Sequence, residues 1–91
     1  MEQKKIDLIT EHFSDCEFLQ ADGFDDAIVG VVFDSMSAVP RLAYSITKCV
    51  DVLMNRDGMT PFEAYEFFEF NVQGAYMGEK TPIWVDDTLF N

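Results

Sequence analysis

The sequence predicts a small single-domain α+β protein, residues 1–91, with helices packed on one face of a mostly antiparallel sheet. Ala27–Phe33 is a continuous β-branched apolar run and predicts a strand. Two stretches in which apolar residues recur at helical spacing follow it, on either side of Asp57–Thr60. The predicted element order is helix, strand, strand, strand, helix, helix, strand. Strands and helices grouped in this way are typical of α+β folds.

The N-terminal half supplies the first helix and three strands. Residues 2–13 place apolar side chains on one helical face, and Glu17–Gln20 is a short candidate strand. Ala27–Phe33 is apolar on both faces, which is typical of a central strand. Gly30 within it predicts a bulge or the close approach of a helix. Arg41–Ser45 is predicted to be the next strand.

Ser45 or Thr47 is expected to cap the second helix. Its apolar face is formed by Ile46, Cys49, Val50, Leu53 and Met54. Gly58 should end it in the left-handed conformation that helix C-termini favour. After the third helix, Pro82 introduces a short last strand, Ile83–Val85, with Trp84 on the opposite face from its neighbours.

The third helix has the clearest start signal in the chain. The Thr60 hydroxyl can accept from the Glu63 amide while the Glu63 carboxylate accepts from the Thr60 amide, and Pro61 occupies the first helical position. One predicted face contains Ala64, Tyr65, Phe68, Asn71 and Val72. The opposite, solvated face contains Glu63, Glu66, Glu69 and Gln73.

Seventeen acidic residues against six basic ones give a net charge of −11 and a pI near 4.1. Such a surface repels nucleic acid and anionic membranes and favours basic partners, although it could also serve solubility alone. No apolar run approaches the ~20 residues of a membrane span, and the N-terminus has no signal core. We expect a cytoplasmic protein with no direct nucleic-acid or membrane binding, and with Cys16 and Cys49 reduced.

The sequence has no catalytic signature, so we expect no enzyme activity, cofactor or metal. A Cys49–His12 pair is the one conceivable nucleophile, but Cys49 lies at a predicted core position, and a reactive thiol needs an exposed, electropositive setting.

An alternative function is a small-molecule or metal-binding module without catalysis. Asp22, Asp25 and Asp26 cluster three carboxylates, either as a solvated turn or as ligands. An EF-hand is excluded because its twelfth position would be Phe33. Asn71 is expected either to contact a ligand in a pocket beside Trp84 or to hold a nearby loop in place through hydrogen bonds of its side-chain amide.

The string DGMTPFEAYEFFEFN, followed by GAY, GE and TP, and the earlier DGFDDAIVGV resemble a small family of uncharacterised proteins of bacteriophages and bacteria. The resemblance covers most of residues 22–84. It implies a phage or prokaryotic origin, and no residue role follows from it.

We therefore expect a small acidic phage-type accessory protein that binds a basic host protein and inhibits it, in the host cytoplasm if phage-encoded. Nucleic-acid enzymes and defence proteins are the natural targets, because the carboxylates of this protein could occupy the sites at which such proteins bind phosphates. Phe67 and Phe70 widen the apolar stripe of the third helix and predict a partner surface or a homodimer contact. The expected partner-binding residues are Glu63, Glu66, Glu69, Phe67 and Phe70.

Overall fold

The computed structural model describes residues 4–33, 39–74, 78 and 80–90. The start of the predicted first helix, residues 2 and 3, lies outside this part. The helices and strands in chain order are α1 (Lys5–His12), β1 (Ile28–Val32), β2 (Arg41–Ser45), α2 (Ile46–Asp57), α3 (Pro61–Phe67) and β3 (Ile83–Val85). A π-helical segment, Phe68–Gln73, continues α3, and 3₁₀ turns occupy Asp25–Ala27 and Thr88–Phe90. The α+β class is confirmed.

The sheet has the order β1-β2-β3 and is mixed. β1 runs antiparallel to β2, whereas β3 runs parallel to it, with Tyr44 beside Trp84. The expectation of a mostly antiparallel sheet is therefore corrected for β3. The physical reason is the connection: the chain leaves β2 through α2 and α3 and returns to the sheet in the same direction, as parallel neighbours require.

The central strand is β2, not β1 as the apolar run Ala27–Phe33 predicted. β1 lies at the sheet edge, and Val29 and Phe33 are exposed. A continuous apolar run is compatible with an edge strand when part of its surface stays open. The bulge predicted at Gly30 is confirmed by the register shift between Ile28 and Gly30. Apart from its chain neighbours, no described residue has an atom within 4 Å of the position that a Cβ at Gly30 would occupy.

Both faces of β2 are covered, since Leu42, Ala43, Tyr44 and Ser45 are all buried. Leu42 and Tyr44 point into one apolar cluster that also takes side chains from the helices. Its helical members are Cys49, Val50 and Leu53 from α2 and Ala64 from α3, with Phe68 from the π-helical segment. Ile6 and Ile9 of α1 pack against the same cluster. The helices thus share one face of the sheet, as expected.

No strand forms at Glu17–Gln20, so that prediction is wrong. Phe18 instead packs against the core and meets the Phe13 ring edge-on, with centroids 6.1 Å apart. The backbone amide of Ala21 donates to the Tyr44 hydroxyl at 2.9 Å rather than to a neighbouring strand. A side chain distant in sequence therefore takes the place of a ladder hydrogen bond in this segment.

Of the two caps expected for α2, the structure has Ser45. Its hydroxyl accepts from the Lys48 amide at 3.1 Å and donates to the Asp87 carboxylate at 2.5 Å. Asp87 also accepts from the Thr47 amide at 3.2 Å. A carboxylate is favourable at a helix N-terminus because the first amide groups have no partner within the helix. The segment after β3 is thereby attached to the start of α2.

The predicted start of α3 is confirmed in each part. The Glu63 amide donates to the Thr60 hydroxyl at 3.2 Å, and the Thr60 amide donates to Glu63 Oε1 at 3.0 Å. The hydrogen bond from the Thr60 amide holds the pKa of Glu63 below its usual value. Pro61 occupies the first helical position, and Gly58 ends α2 with a positive φ of 68°.

Replacing Thr60 by alanine should lower the free energy of unfolding by about 1 kcal/mol, because the Glu63 amide at the start of α3 loses the hydroxyl that accepts from it. The measurement is urea unfolding followed by circular dichroism. Thr10→Ala is the matched control: Thr10 is exposed within α1, where its hydroxyl only bonds back to the Ile6 carbonyl, and alanine suits a helix interior. Equal stability of Thr60→Ala and the parent would contradict the capping role.

Candidate functional site

α3 and the π-helical segment carry a second side-chain surface that is largely exposed, and Met59 at its edge also packs against the core. Its residues recur three or four positions apart and line an open depression of about 370 Å³. We call this surface the outer face of α3. It consists of Met59, Phe62, Glu63, Glu66, Phe67, Phe70 and Asn71.

This helix is apolar on two opposite sides. Ala64 and Phe68 are buried, with Phe68 only 1% exposed. On the outer face, Phe62 is 77% exposed, Phe70 76% and Phe67 39%. One buried stripe is what a surface helix of a small domain needs, so the second stripe is not explained by folding. Phe62 was missed by sequence reasoning, although its spacing of four to Glu66 and eight to Phe70 was a usable signal.

The structure divides the predicted acidic row. Glu63 and Glu66 line the outer face beside Phe67 and Phe70, as expected for a shared surface. Glu69 lines a different hollow together with Trp84. Three residues turn an α-helix by about 300°, which is about 60° short of a full circle. Two such steps therefore place Glu69 about 120° away from Glu63 around the helix axis. Four of the five predicted partner-binding residues therefore lie together.

Asn71 does not occupy the buried face that was expected of it. It is exposed on the outer face, and its Nδ2 donates to the Phe67 carbonyl at 3.3 Å, one turn earlier in its own helix. Among the described residues, its amide makes no hydrogen bond to a neighbouring loop. In the part of the chain that the structure describes, Asn71 lines the depression of the outer face and Trp84 lines a different one.

The residues of the predicted acidic cluster line a third depression, a cleft of about 780 Å³ that is also lined by residues of α1 and α2. Asp22, Asp25 and Asp26 share this cleft with three basic side chains, those of Lys4, Lys48 and Arg56. Among the described residues, no group of three or more His, Cys, Asp or Glu side chains is arranged to hold a metal ion. The cleft is thus of mixed charge.

The hollow beside Trp84 is formed where three distant segments meet. It has a volume of about 330 Å³ and is lined by Ile46, Tyr65, Phe68, Glu69, Gln73, Trp84, Asp86 and Thr88. The Phe68 ring meets the Trp84 ring edge-on, with centroids 5.3 Å apart, and the Tyr44 ring is tilted against Trp84 at a centroid distance of 5.3 Å. The buried indole Nε1 of Trp84 has no acceptor among the described residues.

The cysteine considered as a nucleophile is not accessible. Cys49 is fully buried, and burial, with a smaller contribution from the Asp87 charge, raises its pKa to about 12. The thiolate is the nucleophilic form, so this thiol is unreactive at neutral pH. His12 is exposed and contacts the Phe13 ring.

Comparison of the chain with known protein families, curated proteins and solved structures found no match. The family resemblance of the motif around Asp57–Pro82 therefore stays a prediction. No helix in the described ranges is long and apolar enough to cross a membrane.

The two sides of α3 should respond differently to truncation. Phe68→Ala should cost about 3–5 kcal/mol of unfolding free energy, because it empties a core position. Phe62→Ala and Phe70→Ala, the matched controls on the same helix, should each stay within about 0.5 kcal/mol of the parent, because their side chains are already in water. Chemical unfolding of the three variants tests this. A large loss for either control would mean that the outer face is covered in solution.

Proposed function

We propose that this protein is a small binding module that docks a basic protein partner through the outer face of α3. The observation that carries the proposal is the exposed aromatic stripe Phe62, Phe67 and Phe70, flanked on the same face by Glu63 and Glu66. The proposal includes no catalysis and no cofactor.

The shape of the outer face favours a protein over a small molecule. Small-molecule pockets enclose most of their ligand, whereas this depression is formed along one helix and lies open. Contiguous exposed apolar surface on a small domain marks an interaction site, and aromatic residues are enriched at the centres of protein interfaces. A helix face with anchors at spacings of three and four suits a partner that presents a groove or an apolar strip.

Charge favours a basic partner over a second copy of the chain. The net charge is −11, and the two carboxylates lie beside the aromatic side chains. In a symmetric dimer through this face, the same surface patch would meet itself and bring the Glu63 and Glu66 carboxylates of both copies together. The expected partner surface has apolar side chains flanked by lysine or arginine, and charge complementarity raises its association rate.

Proteins that bind nucleic acid have surfaces of this kind, because they neutralise phosphates with lysine and arginine. Binding of this acidic module over such a surface would exclude nucleic acid. The proposed role is that of an inhibitor of a host nucleic-acid enzyme or defence protein, acting in the cytoplasm of the host cell. The motif resemblance to phage and bacterial proteins supports this role.

A photo-crosslinking phenylalanine analogue at position 70 should capture the partner from host lysate and so identify it. The same analogue at position 8 is the control and should not capture that protein. Leu8 is also exposed but lies on α1. With that partner purified, its association rate should fall steeply between low and physiological ionic strength, because the attraction between the two surfaces is screened. Stopped-flow or surface plasmon resonance measures the rate.

Two variants separate the contributions of charge and aromatic contact. The double change Glu63→Gln and Glu66→Gln should lower the association rate and flatten its salt dependence. The double change Phe62→Ser and Phe70→Ser should mainly raise the dissociation rate, because packing contacts form after encounter. The glutamine variant should stay folded, because a glutamine at position 63 can still accept from the Thr60 amide and the exposed Glu66 charge contributes little to stability. Unchanged binding by both variants would refute the docking face, and a flat salt dependence in the parent would refute the basic partner.

A further inference from the structure

The hollow beside Trp84 is a second site on the opposite flank of α3, independent of the outer face. Its aromatic lining residues are Tyr65, Phe68 and Trp84, of which Tyr65 is 38% exposed whereas Phe68 is buried. Its remaining lining is polar and includes two carboxylates, Glu69 and Asp86. Within the described residues no basic side chain lines it.

We propose that this hollow binds an organic cation of the alkylammonium or guanidinium class. A cation placed over an aromatic ring is attracted by the negative face of the ring, most strongly for tryptophan. Carboxylates at the rim supply a direct charge partner. Rings and acids together are the chemistry by which proteins recognise such groups, and neither feature suits an anion.

One of the two carboxylates, that of Asp86, is held by local hydrogen bonds. One oxygen of Asp86, Oδ1, accepts from both the Thr88 amide at 3.2 Å and the Thr88 hydroxyl at 2.8 Å. These bonds fix the carboxylate beside Trp84, and its second oxygen is not needed for them. Glu69 comes from the first turn of the π-helical segment and lines the same hollow as Asp86.

The walls are held by the fold rather than by the ligand. Phe68 is fully buried and meets Trp84 edge-on. Asp87, between the two rim residues Asp86 and Thr88, is attached to the start of α2 through Ser45 and Thr47. A site whose walls are fixed before binding loses little entropy on binding. The π-helical geometry from Phe68 onward sets the position of Glu69, and single π turns are frequent at functional sites.

The cation could belong to a free metabolite or to a lysine or arginine side chain of a protein, and both carry the same chemistry. The probes are therefore choline, for a free quaternary ammonium, and the blocked amides of lysine and arginine, for protein side chains. The neutral control is the tert-butyl analogue of choline, in which carbon replaces the charged nitrogen. Trp84 is the only tryptophan in the chain, so its indole N–H gives a single NMR signal in nitrogen-labelled protein.

Titration with at least one cation should shift the Trp84 indole signal along a saturable curve, while the neutral analogue leaves it unmoved. A response to choline alone identifies a small quaternary ammonium ligand, and a response to the amides identifies a protein side chain. Glu69→Gln and Asp86→Asn should each weaken binding about tenfold, because each removes one charge-assisted contact. Asparagine keeps the oxygen that accepts from Thr88, so the turn is retained.

Glu66→Gln is the matched control, since it removes the same charge from the outer face. It should leave cation affinity unchanged. Equal weakening by Glu66→Gln and Glu69→Gln would show attraction to the overall negative charge and overturn the site, as would an equal shift with the neutral analogue or no saturable shift with any cation. The partner-binding proposal is untouched by these results, because its test uses Glu63, Glu66, Phe62 and Phe70.

Discussion

Ser45 stands at the junction of β2 and α2, fully buried, and its hydroxyl bridges two segments. It accepts from the Lys48 amide at 3.1 Å and donates to Asp87 at 2.5 Å. The first bond starts α2 directly at the end of the central strand. The second attaches the segment after β3 to the same helix terminus. Because a buried hydroxyl without partners is costly, strand, helix and C-terminal segment are constrained to meet at this point.

The two candidate surfaces follow from this constraint and from the core. With β3 held beside β2, Trp84 lies next to Tyr44 and presents its ring to Phe68. The burial of Phe68 fixes the rotation of α3 about its own axis. Helical periodicity then forces Phe62 and Phe70 to the opposite side, into solvent. The exposed aromatic stripe is thus a property of the sequence that the core does not use, and this is why we assign it to recognition.

Local signals in the sequence were sufficient for much of the fold. The start of α3 was predicted because Thr60, Pro61 and Glu63 act within one turn. The bounds of β2 and β3 follow from short apolar runs, each of which is preceded by a proline. The solvated position of Glu63 and Glu66 follows from helical spacing alone. Each of these predictions depends on residues within about four positions of one another, which is the range over which caps and helix faces are set.

The errors arose where distant segments decide the outcome. Glu17–Gln20 forms no strand, and the Ala21 amide that follows it donates to the Tyr44 hydroxyl, 23 residues away in sequence. The parallel direction of β3 depends on the path of the chain through two helices. The edge position of β1 results because β3 pairs with the other side of β2. The Trp84 hollow joins Glu69 and Asp86 from different elements, a pairing that no spacing in the sequence indicates.

The central claim is that the outer face of α3 is open in the free protein and separate from the core. Para-fluorophenylalanine placed singly at positions 62, 68 and 70 would report this by fluorine NMR in the presence of a soluble nitroxide. We expect strong broadening at positions 62 and 70 and little at position 68, independent of protein concentration. Protection at 62 and 70 equal to that at 68 would contradict the claim, because the stripe would then be covered by the chain itself or by a second copy.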